Sequence, residues 1–219
     1  MVCPETYPNA EPIVMLVDDD AHVRDAMENL LSSVGIESMA FASAREFLQT
    51  NLPDRLGCVV LDVRMPGLSG LDLHQHMARH GMNTPVVFLT GHGDIAMSVE
   101  AMKAGAIDFL TKPVRDQTLL DSISRAIETD RIRREETAAS RRHLELYETL
   151  TFRERQVLKL VITGALNKQI AYELGITETT VKLHRSNMMK KLKVNAVTQL
   201  FTVCQSLSRV LYDLEIGRG

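Results

Sequence analysis

Apolar residues follow two rhythms along this chain. Short apolar runs at 13–17, 58–61 and 86–89 predict strands buried on both faces, since such strands lose the polar alternation of half-exposed ones, and 107–110, interrupted by Asp108, reads as a last strand. Asp18 follows the first run, the second stops at Asp62, the third stops at Thr90, and the last reaches Lys112-Pro113. Helical spacing intervenes. Val23, Met27, Leu30, Leu31 and Val34 mark one face of a helix that Gly35 ends. Ser43-Ala-Arg-Glu46 has the form of a capping box opening a second helix, and stretches near 69–79 and 94–104 read as two more. Strands alternating with helices predict an α/β layer structure whose parallel sheet is covered on both faces.

The pattern changes after Pro113. All seven prolines lie at or before that position, which suits a wholly helical second half. A helix starting near Asp116 carries Leu119, Leu120, Ile123 and Ile127 on one face. Charge density then rises through 131–136, while Ala138, Leu144 and Tyr147 keep a thin apolar trace. Residues 128–149 read as a solvated helical linker, with too little heptad regularity for a coiled coil. Thr151-Phe-Arg-Glu154 is another capping box. Val157, Leu158, Val161 and Ile162 follow, with Gly164 as a stop. A short helix from Asn167 ends at Gly175, Thr177 caps a longer one running to about Lys193, and a last helix runs from about Ala196 to Arg209. Two helices joined by a turn containing glycine form a helix-turn-helix. The expected domains are therefore 12–127 and 150–212, joined by the linker 128–149.

Composition narrows the class. With 219 residues, 45% apolar and 24% charged, the chain is that of an ordinary globular protein rather than a disordered one. No apolar run approaches the roughly 20 residues that span a bilayer, and the first twelve residues have neither the basic nor the apolar region of a signal peptide. Cys3, Cys58 and Cys204 form neither a disulfide framework nor a metal pattern. The expectation is a cytoplasmic protein with no membrane partner. The net charge of −3 hides an asymmetry: residues 1–127 carry −8, residues 128–149 carry −1, and residues 150–219 carry +6. An acidic first part and a basic last part suggest domains with different partners.

Candidate chemistry gathers at the strand ends. In an open parallel sheet, ligands bind at the carboxyl edge. Asp18, Asp19, Asp62, Thr90 and Lys112 all fall there, although they are distant in sequence. Singly, each has an ordinary explanation: Asp20 and its neighbours as a helix cap, Asp62 in the turn before Pro66, Lys112 as a loop cation. Four strand ends together are improbable by accident. Three converging carboxylates repel, so one protonates or a cation binds, and Mg²⁺ suits an all-oxygen site. A carboxylate in such a site can act as nucleophile and form an aspartyl-phosphate, with Lys112 and Thr90 placed to stabilise phosphoryl oxygens.

The segments Val17-Asp-Asp-Asp20, Leu61-Asp-Val-Arg-Met-Pro-Gly-Leu-Ser-Gly70, Leu89-Thr-Gly91 and Thr111-Lys-Pro113 resemble the signature of receiver domains of two-component response regulators. The resemblance implies a flavodoxin-like five-stranded parallel sheet of order 2-1-3-4-5. It implies Asp62 as phosphoacceptor for a partner histidine kinase, with Asp19, Asp62 and the backbone carbonyl of Arg64 on Mg²⁺ and Asp18 reaching the ion through water. It also implies Thr90 and Phe109 as coupled switch residues and a cis Lys112–Pro113 bond. Thr90-Gly-His-Gly-Asp94 and Met102-Lys-Ala-Gly-Ala106 resemble the FixJ, NodW, TodT and StyR group, which often has proline at the place of Ala96. His92 is left without a role.

The helix from Thr177 to Lys193 is basic. Val181, His184, Met188 and Leu192 form its core-facing stripe, leaving Lys182, Arg185 and Ser186 mainly on other faces. Such a helix fits a major groove, with Asn167, Lys168, Lys190 and Lys191 suited to phosphates. Leu150-Thr-Phe-Arg-Glu-Arg-Gln-Val157, Asn167-Lys-Gln-Ile-Ala171 and Thr180-Val-Lys-Leu-His184 resemble the LuxR/NarL/FixJ effector domain, a small four-helix fold. That resemblance places Thr180, Lys182, Leu183 and Ser186 on the DNA-binding surface, with Arg185 added, and gives Glu154 a structural role. The expected function is a double-stranded-DNA-binding transcription regulator, not an enzyme beyond its own phosphoryl transfer and autodephosphorylation. Phosphorylation activates it through homodimerisation or release of a held effector domain. Transcription activation is that group's usual role, and RNA polymerase is a candidate partner. Two rivals remain at this point. A phosphoaspartate hydrolase usually has a second acid two residues beyond its nucleophile, where this chain has Arg64. A phosphorylation-independent DNA-binding protein would not need a complete pocket.

Overall fold

The computed structural model describes residues 11–91 and 95–216. Its first half alternates strands and helices: β1 (Ile13–Val17), α1 (Ala21–Ser33), β2 (Glu37–Phe41), α2 (Ala44–Gln49), β3 (Gly57–Asp62), α3 (Gly70–Arg79), β4 (Val86–Thr90), α4 (Ile95–Lys103) and β5 (Asp108–Thr111). The strands pair in parallel in the order β2-β1-β3-β4-β5, as the receiver resemblance implies.

Alternate residues of one strand point to opposite faces, and both faces are dry. Met15, Val17, Val59, Leu61, Val86 and Phe88 join Phe47 of α2, Leu73 and Met77 of α3 and Ala101 of α4. Val14, Leu16, Cys58, Val60, Val87 and Leu89 join Met27 and Leu31 of α1 and Leu119, Ile123 and Ala126 of the next helix, α5 (Asp116–Glu148). This two-sided burial explains the continuous apolar runs. The strand β2 escapes the run pattern because it is an edge strand of sequence ESMAF with an exposed start.

Two glycines are required by close approach. A Cβ on Gly57 would lie 2.0 Å from the carbonyl oxygen of Ile13, and one on Gly70 would lie 2.1 Å from that of Asp62. Gly70 thus lets α3 start directly against the end of β3.

The chain divides into two compact units, residues 1–134 and 135–219. The helix α5 runs unbroken from Asp116 to Glu148, and its 128–134 stretch differs from the solvated linker read in the sequence. Asp130 is fully buried and accepts a hydrogen bond from the Gly57 N–H at 3.1 Å. Arg133 and Arg134 both pair with it, and Arg134 also reaches Asp54 and the carbonyl of Arg55. A lone carboxylate is not legible as buried until its arginines and the strand start are seen to converge. Residues 135–139 are exposed.

The second unit contains α6 (Phe152–Ile162), α7 (Asn167–Leu174), α8 (Glu178–Lys191) and α9 (Val197–Ile216). Val157, Leu158, Val161, Ile170, Val181, Met188, Leu192, Leu200 and Val203 form its core, with Leu144, Leu146 and Tyr147 packed against it. Thr151 and Glu154 form the expected capping box of α6, and α7 ends at Gly175 in the left-handed region (φ 64°). The last helix runs beyond Arg209 to Ile216, since no glycine or proline intervenes before Gly217.

Candidate functional site

The carboxyl edge of the sheet gathers the acids. Asp18 follows β1, Asp62 ends β3, and both are buried, at 1% and 5% exposure. Asp19 is exposed beside them, and each of the three offers a carboxylate oxygen within 4.8 Å of the others. Lys112, just past β5, points into this cluster. Its Nζ lies 2.5 Å from Oδ2 of Asp18 and 2.9 Å from Oδ1 of Asp62. The Lys112–Pro113 bond is cis, as the resemblance implies. Asp20 caps α1 by accepting from the His22 N–H at 2.9 Å.

Backbone donors hold these acids in place. Oδ1 of Asp18 accepts from the N–H of Asp20, and Oδ2 of Asp62 accepts from the N–H of Arg64. The Arg24 guanidinium donates to the Asp18 carbonyl at 2.7 Å. The sequence carries no local signal of this contact, since Arg24 lies six residues after Asp18 on the first turn of α1.

Burial pushes the Asp62 carboxyl above its ordinary pKa, and the charge of Asp18 adds to this. Lys112 and the Arg64 N–H pull the other way without cancelling it. Burial also acts to lower the Lys112 ammonium, but hydrogen bonds and charge from Asp18 and Asp62 outweigh it, and the net shift is upward. The site is therefore an acid cluster short of positive charge, held together by one lysine.

Thr90 is fully buried at the end of β4, with its carbonyl accepting from the Lys112 N–H at 2.7 Å. Phe109 pairs in register with Phe88, two residues before Thr90, so its ring lies on the same sheet face as the Thr90 side chain. That ring is half-buried, 6.2 Å from Phe88. His92 and Asp94 lie outside the described residues.

The second unit presents α8. Lys182, Leu183 (59% exposed), Ser186 and Lys190 face solvent. Other residues expected on the DNA surface have internal partners. Thr180 is half-buried, and its hydroxyl meets that of the N-cap Thr177 at 2.8 Å. Arg185 donates to Oδ1 of Asn167 at 3.1 Å, bracing α8 against the start of α7. Lys191 reaches Oε2 of the buried Glu154 at 2.7 Å and the carbonyl of Thr149 at 3.2 Å. Lys168 is exposed, and His184 is half-buried between the buried Val181 and Met188.

A five-stranded 2-1-3-4-5 sheet with acids and a lysine at its carboxyl edge, followed by a helix-turn-helix, defines a receiver joined to an effector. The family models agree: "Response regulator receiver domain" matches residues 14–124, and "Bacterial regulatory proteins, luxR family" matches residues 148–204. The chain belongs to the response regulators, with a receiver and a LuxR-type DNA-binding domain. It is 50% identical to nodulation protein W of Bradyrhizobium diazoefficiens over 202 residues, covering 92% of this chain and 89% of that protein. It is 44% identical to response regulator protein TodT of Pseudomonas putida, covering 89% of this chain and 86% of that protein. Among solved structures, that of the response regulator StyR superposes with a TM-score of 0.77 at 47% identity, covering 90% of this chain and 99% of that one. A receiver implies a histidine kinase as partner, and a LuxR-type domain implies DNA. No helix among the described residues is long and apolar enough to cross a membrane.

Proposed function

We propose that Asp62 accepts a phosphoryl group from a histidine kinase and that this modification controls DNA binding by α8. The observation that carries the reading is the convergence of Asp18, Asp19, Asp62 and Lys112 from three strand ends. An Asp62 carboxylate oxygen attacks the phosphorus of the donor phosphohistidine. The O–P bond forms as the P–N bond breaks, and the electron pair leaves with the donor imidazole. Asp18, Asp19, Asp62 and the Arg64 carbonyl suit Mg²⁺, since three oxygens already lie within 4.8 Å of one another. When bound, that ion offsets the charge of the acids and of the incoming phosphoryl oxygens. Lys112 then exchanges a carboxylate oxygen for a phosphoryl oxygen, and the Thr90 hydroxyl supplies a second donor. Movement of Thr90 toward the phosphoryl group opens space on its sheet face, and Phe109 follows inward. This is a shift between two receiver populations.

The receiver is assigned to 12–127 and the DNA-binding domain to 150–212, with 128–149 between them. On α8, Lys182, Leu183 and Ser186 read base edges, while Lys190 of α8 and Lys168 of α7 contact phosphates. Thr180, Asn167 and Arg185 shape that surface through their internal bonds, and Lys191 serves the fold. Activation proceeds by homodimerisation, which sets two recognition helices on adjacent half-sites. The setting is the cytoplasm, the outcome is transcription activation, and RNA polymerase is the downstream partner. DNA footprinting with and without acetyl phosphate and Mg²⁺, on the wild type and on Asp62→Asn, tests the switch. The donor should extend protection for the wild type only; equal responses of the two proteins overturn the proposal.

A further inference from the structure

We infer that Lys193, with Asn195, holds a backbone phosphate of duplex DNA at the carboxyl end of α8, next to the phosphate contacted by Lys190. The inference rests on the DNA-binding reading of α8 and extends it to a groove outside the base-reading positions. Lys193 is the one non-glycine residue with positive φ among those described, at 55°. It closes α8 in a left-handed turn. Its N–H donates to the Lys190 carbonyl at 3.1 Å, and the Val194 N–H donates to that of Met189 at 3.0 Å. Glycine is the usual residue at this turn, because a Cβ there crowds the backbone. A lysine destabilises the turn relative to glycine, so its side chain has a use that the turn itself does not supply.

The surroundings show that use. Ser186, Met189, Lys190, Lys193, Val194 and Asn195 line a surface groove of about 540 Å³. No carboxylate lines it, and neither Lys190 nor Lys193 has an ion-pair partner among the described residues, in contrast to Lys191. Ser186 and Lys190 are spaced i and i+4 on α8, and Lys193 lines the same groove from the turn beyond the helix, so the groove continues the face that presents Ser186 to bases. Length decides what lies opposite. From Lys182 to Lys191 the helix advances about 14 Å, with Lys193 beyond its end, while a major groove is about 12 Å wide. With its amino-terminal half against base edges, the last turn of α8 lies over the flanking sugar-phosphate chain. A helix carboxyl terminus repels anions. Two unpaired ammonium groups reverse that sign locally, and the Asn195 amide adds a donor.

The test uses the full-length protein and a short mixed-sequence duplex, with affinity followed by fluorescence anisotropy across a KCl series. Each phosphate contact contributes about 0.9 to the slope of log K against log salt. Lys193→Gly should bind several-fold more weakly with a slope shallower by about 0.9, yet melt a few degrees higher because the left-handed turn is relieved. Lys193→Arg should keep the wild-type slope. Lys190→Ala combined with Lys193→Gly should lose about 1.8. A Lys193→Gly protein with an unchanged slope, or one that melts lower, overturns the inference while the DNA-binding reading stands. A wild type that shows no salt-dependent binding overturns both.

Discussion

Replacing Glu154 separates a structural carboxylate from a DNA-facing one. This side chain is almost fully buried, accepts from the Thr151 N–H at 2.8 Å, and receives the Lys191 ammonium at 2.7 Å. Glu154→Ala leaves the part-buried Thr151 N–H without its acceptor, a loss of about 1 kcal/mol. It also removes an ion pair whose lysine is about one-third exposed, which after solvent screening contributes about 1 kcal/mol. With the lost methylene packing, the total is about 2 to 3 kcal/mol. For a unit of this size that lowers the melting temperature by roughly 10–20 °C. Calorimetry of the full-length protein should show this drop in the transition of the second unit. Burial acts to raise the Glu154 pKa, but the bonds from Lys191 and Thr151 outweigh it and hold the carboxyl below its ordinary range. Its stabilisation is therefore fully present above the ordinary carboxyl range and is lost as pH falls through the depressed native value. Glu154→Gln keeps an acceptor for Thr151, loses about 1 kcal/mol, and should lose that acid sensitivity. The reasoning is refuted if Lys191→Ala leaves the melting temperature unchanged and instead flattens the salt dependence of DNA binding. Lys191 would then be a phosphate ligand.

Two further outcomes follow from the receiver. Gly70→Ala places a Cβ 2.1 Å from the Asp62 carbonyl oxygen, so the start of α3 must shift; a loss of about 3 kcal/mol should appear in the urea midpoint of the receiver transition, and a loss below about 1 kcal/mol would contradict the packing described. Lys112→Ala removes the cation between two buried acids, at a cost of about 3 kcal/mol in Mg²⁺-free buffer at neutral pH. Thermal melts should recover on adding Mg²⁺ or on acidification, and a melt insensitive to both would show that the acids do not repel.

Legibility in the sequence followed the range of the interactions. Strands β1, β3 and β4 were readable because two-sided burial writes an unbroken apolar run, and the pocket residues were readable because each sits where such a run stops. The strand β2 was not, since an edge position tolerates Glu37 and Ser38 and blurs the period. The capping box at Thr151 is plain from spacing alone, yet nothing local ties Lys191 to Glu154, which lies 37 residues away in the chain. Asp130 was hidden for the same reason. The left-handed turn at Lys193 leaves no trace in a lysine codon, whereas Gly175 announces its own.

The tie between Gly57 and Asp130 restricts one position from two directions. Any side chain at 57 collides with the Ile13 carbonyl, and a proline would also lack the hydrogen that Asp130 accepts. The same six-residue strand ends at Asp62, so its two tips carry the acid cluster and the fastening of the outgoing helix. A strand of this length is a stiff rod of about 17 Å. Substitution at its far tip should therefore disturb the acid cluster without touching any residue of it, and a screen for silent regulators would find such lesions at position 57.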